Sequence, residues 1–444
     1  IRAIGYDMDY TLVHYHVEAW EQCAYEHLKA QLAARGWPVD GMAFDSALFI
    51  RGLVIDRELG NLVKANRFGY VKRASHGTRM LDFDEQRKTY GRTIVDLAEP
   101  RWVFLNTLFS QSEACMYAQF VDRLDRGDLP EILGYSDLYA RVKQGLDRAH
   151  LEGALKAEIL TDPQRFVALD PDVPATLLDQ KDAGKRLLLI TNSDWSYTRD
   201  MLAYAFDRFL PAGMGWRDLF DLVIVSAGKP QFFEGRQAAY RLASEDGLLR
   251  PNPGPLETGA VYVGGDARKV EDSLGLSDEE ILYVGDHLFM DVHVTKSALR
   301  WRTALILREL EAEIEADEGF APHAGDLSEH MLQKERLESQ LAAARLVLQR
   351  ARKGRADIPE AVATRVEAKL ADLRERLARL DDVIAPLAQA SNEVLSSRWG
   401  SLMRAGNDRS HLAKQVEQYA DLYTSRVSNL LHVTPFAYLR APRG

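Results

Sequence analysis

Ile1-Arg2-Ala3-Ile4-Gly5-Tyr6-Asp7-Met8-Asp9-Tyr10-Thr11 opens the chain. An apolar run meets two aspartates one residue apart, then a threonine. The run predicts a buried strand of a parallel sheet, with the acidic pair where its C-terminal end opens into a loop. Ligands of open α/β sheets bind at that end. Two neighbouring carboxylates are costly to bury uncompensated, so they point to a metal ion or a proton-sharing pair. A strand followed by an Asx turn is the plainer reading of the same residues.

Downstream stretches repeat the pattern. Lys185-Arg186-Leu187-Leu188-Leu189-Ile190 runs from a charged edge through an apolar strand into Thr191-Asn192-Ser193. Leu222-Val223-Ile224-Val225-Ser226 precedes Ala227-Gly228-Lys229-Pro230. Val261 to Asp266 and Ile281 to Asp286 both end in Gly-Asp, and Thr303 to Leu307 closes the set. Strands alternating with helix-length segments predict an α/β fold, a doubly wound parallel sheet with helices on both faces.

The long interval between the first two strands reads differently. A helix is expected from Val17 to Ala34. Short β-prone pieces at Gly52–Asp56, Asn61–Lys64 and Gly69–Lys72 follow, separated by Gly-containing turns, as in a small meander. From about Pro100 to Leu160 the spacing of Leu105, Leu108 and Phe109, then Val142, Leu146 and Ala149, predicts helix. Beyond Leu327 the chain is helical and charged. Val366, Leu370, Leu373, Leu377, Leu380, Ile384 and Leu387 keep a four-three heptad spacing. The polar break Lys353–Pro359 separates them from an earlier helix bearing Leu337, Leu341, Ala344 and Leu348, which predicts an antiparallel helical hairpin. Such a seam packs on its own core or on a second subunit, and the expectation is a homo-oligomer, dimer or tetramer.

Composition bounds the function. The 444 residues are 46% hydrophobic and 27% charged, with a formal charge of −10. An acidic balance argues against binding a nucleic-acid polymer, which needs a basic face. No apolar run of about 18 residues exists, so no membrane span is expected. There is no signal-peptide arrangement, and a few residues are expected to precede Ile1. Cys23 and Cys115 are too few for a disulfide framework and lack metal-site spacing, which leaves the cytoplasm as the expected location.

Four strand ends thus offer Asp7 and Asp9; Thr191, Asn192 and Ser193; Lys229; and Asp286 with Asp291. Separately these read as a turn, a helix N-cap, a solvated lysine and another turn. Together they match the needs of phosphoryl transfer. A carboxylate attacks phosphorus, a second acid protonates the leaving alkoxide and then activates water, and a hydroxyl holds the equatorial oxygens. A lysine and a hard divalent cation such as Mg²⁺ offset the phosphate charge. No Gly-x-x-x-x-Gly-Lys-Ser/Thr loop occurs, which excludes a P-loop NTPase. Of the two Gly-Asp strand ends, Asp286 is preferred because Asp291 follows to support a metal; Asp266 is read as part of a hairpin. His287 and His293 lack the partners of a zinc site.

These residues carry a resemblance. Asp7-Met8-Asp9-Tyr10-Thr11, Thr191-Asn192-Ser193, Lys229 and Gly285-Asp286-x₄-Asp291 resemble the four motifs of the haloacid dehalogenase (HAD) superfamily. Arg51-Gly52-Leu53-Val54 with Gly60-Asn61-Leu62, Leu105-Asn106-Thr107-Leu108-Phe109, Gly285-Asp286-His287 and Tyr419-Ala420-Asp421-Leu422-Tyr423 resemble the cytosolic purine 5′-nucleotidases of IMP/GMP type. The resemblance implies a Rossmann-like phosphatase core (residues 1–20 and 165–325), a segment with an inserted α+β cap (21–164) and a C-terminal helical extension (326–444) carrying the hairpin. It implies Mg²⁺-dependent hydrolysis of nucleoside 5′-monophosphates through an aspartyl phosphate, and phosphotransfer to a nucleoside as a further activity. Asp7 would be the nucleophile and Asp9 the general acid/base. Thr191, Asn192, Ser193 and Lys229 would hold phosphate, and Asp7, Asp9 and Asp286 the metal, supported by Asp291.

Phe109, Lys143, Asp147 and His150 match the family's base-recognising positions, with Lys143 in place of an Arg and without its planar fork. Asp96-Leu97 departs from the pattern of the family's effector region, so no regulation is carried over. Two other readings keep the same residues: a phosphatase of another phosphomonoester, and a binding or scaffold protein with the fold but little turnover.

Overall fold

The structure is a computed structural model that describes residues 1–151 and 153–439, except the side chains of 146–151 and of Asn392. The chain divides into two compact units, residues 1–310 with 402–444, and residues 311–401.

The first unit is built on a nine-stranded sheet. Its strands in chain order are β1 (Ala3–Tyr6), β2 (Arg186–Ile190), β3 (Leu222–Val225), β4 (Ala239–Leu242), β5 (Leu249–Pro251), β6 (Ala260–Gly264), β7 (Ile281–Gly285), β8 (Arg302–Ile306) and β9 (Leu422–Thr424). Across the sheet they run β5-β4-β6-β3-β2-β1-β7-β8-β9. All neighbours are parallel except the β4–β5 hairpin, which lies antiparallel to β6 at one edge.

Both faces are buried, as uninterrupted apolar runs require. Tyr6, Leu187, Leu189, Val223, Val225 and Val284 join one core with Trp20, Val173, Leu177 and Met201 from helices. Their neighbours Leu188, Ile190, Leu222, Ile224, Ile281 and Tyr283 join another with Val270, Val294 and Leu299. The alternation follows from the two-residue period of a strand, so every second side chain meets helices of the opposite layer. This is a mixed α/β fold with a large, mostly parallel sheet.

After β1 the helix Val17–Ala33 forms as expected. A five-stranded antiparallel sheet follows, in the order Arg79–Met80, Val71–His76, Asn61–Ala65, Val54–Asp56 and Trp102–Phe104. The last strand corrects the helical expectation from Pro100: Trp102 and its neighbours complete the sheet against Val54–Asp56, and helix begins only at Gln111. Phe109 therefore lies in a single 3₁₀ turn, Leu108–Ser110, not in a helix. The hairpin reading of Asp266 is also corrected. Gly264 and Gly265 take positive φ, 71° and 89°, and Asp266 then caps the helix Ala267–Leu274 by accepting from the Lys269 amide.

The second unit is a pair of long helices, Leu310–Arg352 and Glu360–Asn392. Leu337 packs with Leu373, Leu380 and Ile384, and Ala344 and Leu348 with Leu370. Numbers that fall along one helix as they rise along the other mark antiparallel packing. Near Pro386 the seam drifts from the heptad, and Ala388 packs into it. The C-terminal stretch is not helical throughout. From Leu402 the chain returns to the first unit, where β9 adds to the sheet and Asp421 accepts hydrogen bonds from the Thr303 amide and hydroxyl. Among the described residues no helix is long and apolar enough to cross a membrane.

Candidate active site

Parallel register brings the sequence-distant groups to one edge. Tyr6 lies beside Leu189 on one side and Val284 on the other, so Asp7, Thr191 and Asp286 leave their strands at neighbouring points. The Asp7 amide continues the ladder to the Val284 carbonyl at 2.9 Å. Lys229 arrives from the loop after β3, where Ser226 and Gly228 both have positive φ. Asn192 grips that loop: its Oδ1 accepts from the Lys229 amide at 2.7 Å and its Nδ2 donates to the Lys229 carbonyl at 3.2 Å.

Lys229 is buried, with its ammonium 2.8 Å from Asp7 and 2.8 Å from Asp291. It also donates to the Tyr283 hydroxyl at 3.0 Å. Carboxylate oxygens of Asp7, Asp286 and Asp291 all lie within 4.8 Å of one another. Asp291 belongs fully to the cluster because it stands in a π-helical turn, Leu288–His293, that folds back over Gly285. Such turns interrupt the helix to re-aim a side chain.

The Lys229 ammonium, with the buried Arg51 guanidinium that is itself paired with Glu309, does not balance three buried acids. Burial pushes the Asp7 carboxyl up to about 7, and Asp291 and Asp9 add to the rise while Lys229 opposes it. Asp286 is held well above the usual carboxylate range, first by burial and then by Asp291 and Asp7. Burial works against the Lys229 charge, but Asp291 and Asp7 hold it well above the ordinary lysine range. Surplus negative charge among hard oxygen donors is what a divalent cation relieves.

Asp9 does not join the three clustered acids. Its oxygens accept from Ser193 Oγ at 2.6 Å and from Tyr15 OH at 2.5 Å. Tyr15 in turn meets Tyr197 OH at 3.0 Å. Thr191 Oγ1 accepts from the Ser193 amide at 3.1 Å, which fixes the turn after β2.

Several roles escaped the sequence reading, although Arg51 and Thr107 stand in stretches that carry the family resemblance. Lys156, from the helix Ala154–Thr161, donates to Ser193 Oγ at 2.9 Å and so adds a second ammonium at this edge. Thr107 Oγ1 donates to Asp286 at 3.2 Å. The Arg51 side chain is wholly buried; it donates to the Asp286 and Asn106 carbonyls and pairs with Glu309 at 3.5 Å. A lysine in a short helix and an arginine before a strand carry no local signal of such roles.

The base-facing candidates are less gathered. Phe109 packs edge-on against Tyr10 and Trp20, with ring centres 4.7 Å and 5.5 Å away. Lys143 pairs with the buried Glu113 at 3.3 Å. The side chains of Asp147 and His150 lie outside the described residues. Burial lowers the imidazole of His287 to about 4, and its Nδ1 accepts from the Met290 amide. His293 packs at a tilt against Tyr419, 4.1 Å between ring centres. Neither histidine is part of the acidic cluster.

A model of the 5′ nucleotidase family matches residues 1–444. A 5′-nucleotidase domain-containing protein of Dictyostelium discoideum is 26% identical over 447 residues, which cover 97% of this chain and 70% of that protein. Among solved structures, an archaeal beta-phosphoglucomutase from hyper-thermophilic Pyrococcus sp. strain ST 04 aligns at 11% identity with a TM-score of 0.33. That alignment covers 69% of this chain and 87% of the other, a likeness too slight to argue from.

Proposed function

The chain belongs to the 5′ nucleotidase family, and from that premise we propose that it hydrolyses purine nucleoside 5′-monophosphates of the IMP/GMP kind through an aspartyl phosphate. The observation that carries this reading is the cluster at the sheet edge: Asp7, Asp286 and Asp291 within 4.8 Å, with the Lys229 ammonium 2.8 Å from two of them.

An oxygen of Asp7 attacks phosphorus and the bond to the ester oxygen breaks. Asp9 gives its proton to the departing 5′-alkoxide. It then takes a proton from the water that attacks the phosphoenzyme, which frees phosphate and regenerates Asp7. The hydroxyls of Ser193 and Tyr15 fix the orientation of Asp9 for both transfers. Lys229 and Thr191 bind the phosphoryl oxygens, Ser193 spends its hydroxyl proton on Asp9, and Asn192 holds the Lys229 loop in register.

The donor set fits Mg²⁺, with Asp7, Asp286 and Asp291 to hold it; when bound, the ion would offset charge on the phosphate. Asp9, engaged by two hydroxyls, is left to proton transfer. Phosphotransfer replaces the water with a nucleoside hydroxyl. The segment 21–164 acts as the cap, and Arg51, Thr107 and Lys156 are among its contacts with the catalytic edge. Purine choice falls to Phe109, Lys143, Asp147 and His150, on the strength of the family resemblance.

Initial rates on IMP, GMP, AMP and the pyrimidine monophosphates with Mg²⁺, beside a panel of sugar phosphates, test the reading. A purine preference is expected, and faster turnover of a sugar phosphate would overturn it. Asp7→Asn should abolish turnover while keeping the native circular-dichroism spectrum.

A further inference from the structure

We propose that a second metal site, for a borderline-soft divalent cation of the zinc type, is formed by Cys23, His27 and Glu158. Cys23 and His27 stand four residues apart on the helix Val17–Ala33 and so share one face. Glu158 comes from the helix Ala154–Thr161. One ligand atom from each lies within 4.8 Å of the other two. Glu158 already bridges the pair. Its Oε2 is 2.9 Å from His27 Nε2, and its carboxylate stands beside the Cys23 thiol, within 4.8 Å.

The three groups open on a surface pocket of about 280 Å³, which gives an ion a way in and room for a fourth, water ligand. Cys23 is buried, whereas the His27 and Glu158 side chains are 29% and 45% exposed and can swing. Zinc bonds of about 2.0–2.3 Å put tetrahedral ligands roughly 3–4 Å apart, so a contraction of about 1 Å suffices.

Chemistry separates this site from the acidic cluster at the sheet edge. Thiolate and imidazole favour zinc over magnesium. Binding balances simply. The thiol, which burial and then Glu158 push up to about 12, loses its proton to solvent as the metal bond forms. The imidazole binds through Nε2 as the Nδ1–H tautomer, and the carboxylate exchanges its hydrogen bond with His27 for a metal bond. One thiolate, one carboxylate and a neutral imidazole cancel the dication, and the Arg165 guanidinium, 3.8 Å from Glu158, and the Glu26 carboxylate that line the same pocket offset one another. The ion would pin the helix that carries Lys156, two residues before Glu158, against the helix that follows the Asp7–Asp9 turn.

The test is cobalt titration of the full chain with Mg²⁺ in excess. One Co²⁺ per chain is expected to give a thiolate-to-cobalt charge-transfer band and tetrahedral visible bands. Cys23→Ser should remove the charge-transfer band, and Cys115→Ser should leave it. His27→Ala, at a partly exposed position that tolerates truncation, should weaken binding by roughly tenfold or more. Zinc should raise the melting temperature of the parent chain and not that of His27→Ala. A spectrum with no thiolate band, or a band that survives in Cys23→Ser, would overturn the site.

Discussion

Replacing Lys229 with Met keeps most of the side-chain volume and removes the charge that faces two buried carboxylates. At 2.8 Å and an effective dielectric of about 20, each pair carries about 6 kcal/mol of attraction, much of it offset by the desolvation of both ions. Removing one partner leaves the others buried and uncompensated, and that costs roughly 3–5 kcal/mol. The loss depends on pH. In the fold the Asp7 carboxyl keeps its proton up to about 7, against an ordinary value of 3.8. The folded protein therefore holds more protons than the unfolded chain across that window, and stability without metal falls as pH rises through it. Lys229 opposes the rise of Asp7, so in Lys229→Met the window extends upward and the penalty grows at higher pH. Urea unfolding of metal-free protein at about pH 5 and pH 8 measures it, with the larger deficit expected at pH 8. Turnover at pH 7 should fall roughly a thousandfold or more, because the attacking carboxylate is protonated and phosphate charge is no longer offset. A variant as stable as the parent at pH 8, or with turnover within tenfold of it, refutes the reasoning.

Glu21 offers a second pH test. Burial pushes its carboxyl from the ordinary 4.5 up to about 8, so its contribution to stability declines as pH rises between those values, by roughly 3 kcal/mol from about pH 5 to pH 7.5. Glu21→Gln should flatten that slope in thermal or urea unfolding and become the more stable form at the upper end. Gly285→Ala would put a Cβ 2.4 Å from the nearer oxygen of Asp291; displacing that acid should cost roughly a hundredfold in kcat and raise the Mg²⁺ needed for half-maximal rate. Leu373→Ala, at the buried seam of the helix pair, should destabilise that unit by about 2–5 kcal/mol, read by hydrogen exchange of its amides, with turnover unchanged.

Much of the architecture was legible because it follows from local periodicity. Apolar runs without alternation mark strands covered on both faces, and those at Ala3, Leu187, Leu222 and Ile281 are such strands. The seam from Leu370 to Ile384 was equally plain. The failures have a common cause. Trp102–Phe104 precedes the helix-like spacing of Leu105, Leu108 and Phe109 and becomes a strand because Val54–Asp56 offers it an edge. β9 is only three residues long and is a strand only because β8 is beside it. Asp291 rightly singled out Asp286 over Asp266, but Asp266 caps a helix where a hairpin was expected, because the chain after Gly265 turns into Ala267–Leu274.

The order of acid pair, hydroxyl turn, lysine and second acid pair is a property of the sequence, since strand ends and the residues after them are read off the chain. Proximity is not. That Lys229 faces Asp291 as closely as Asp7, that Asn192 grips a backbone instead of pointing outward, and that Ser193 and Tyr15 hold Asp9 depend on register between strands nearly 200 residues apart. The same holds for Cys23, His27 and Glu158, whose spacing along the chain resembles no metal motif. Charge compensation and coordination act through a few ångströms of space, and only folding decides which residues share it.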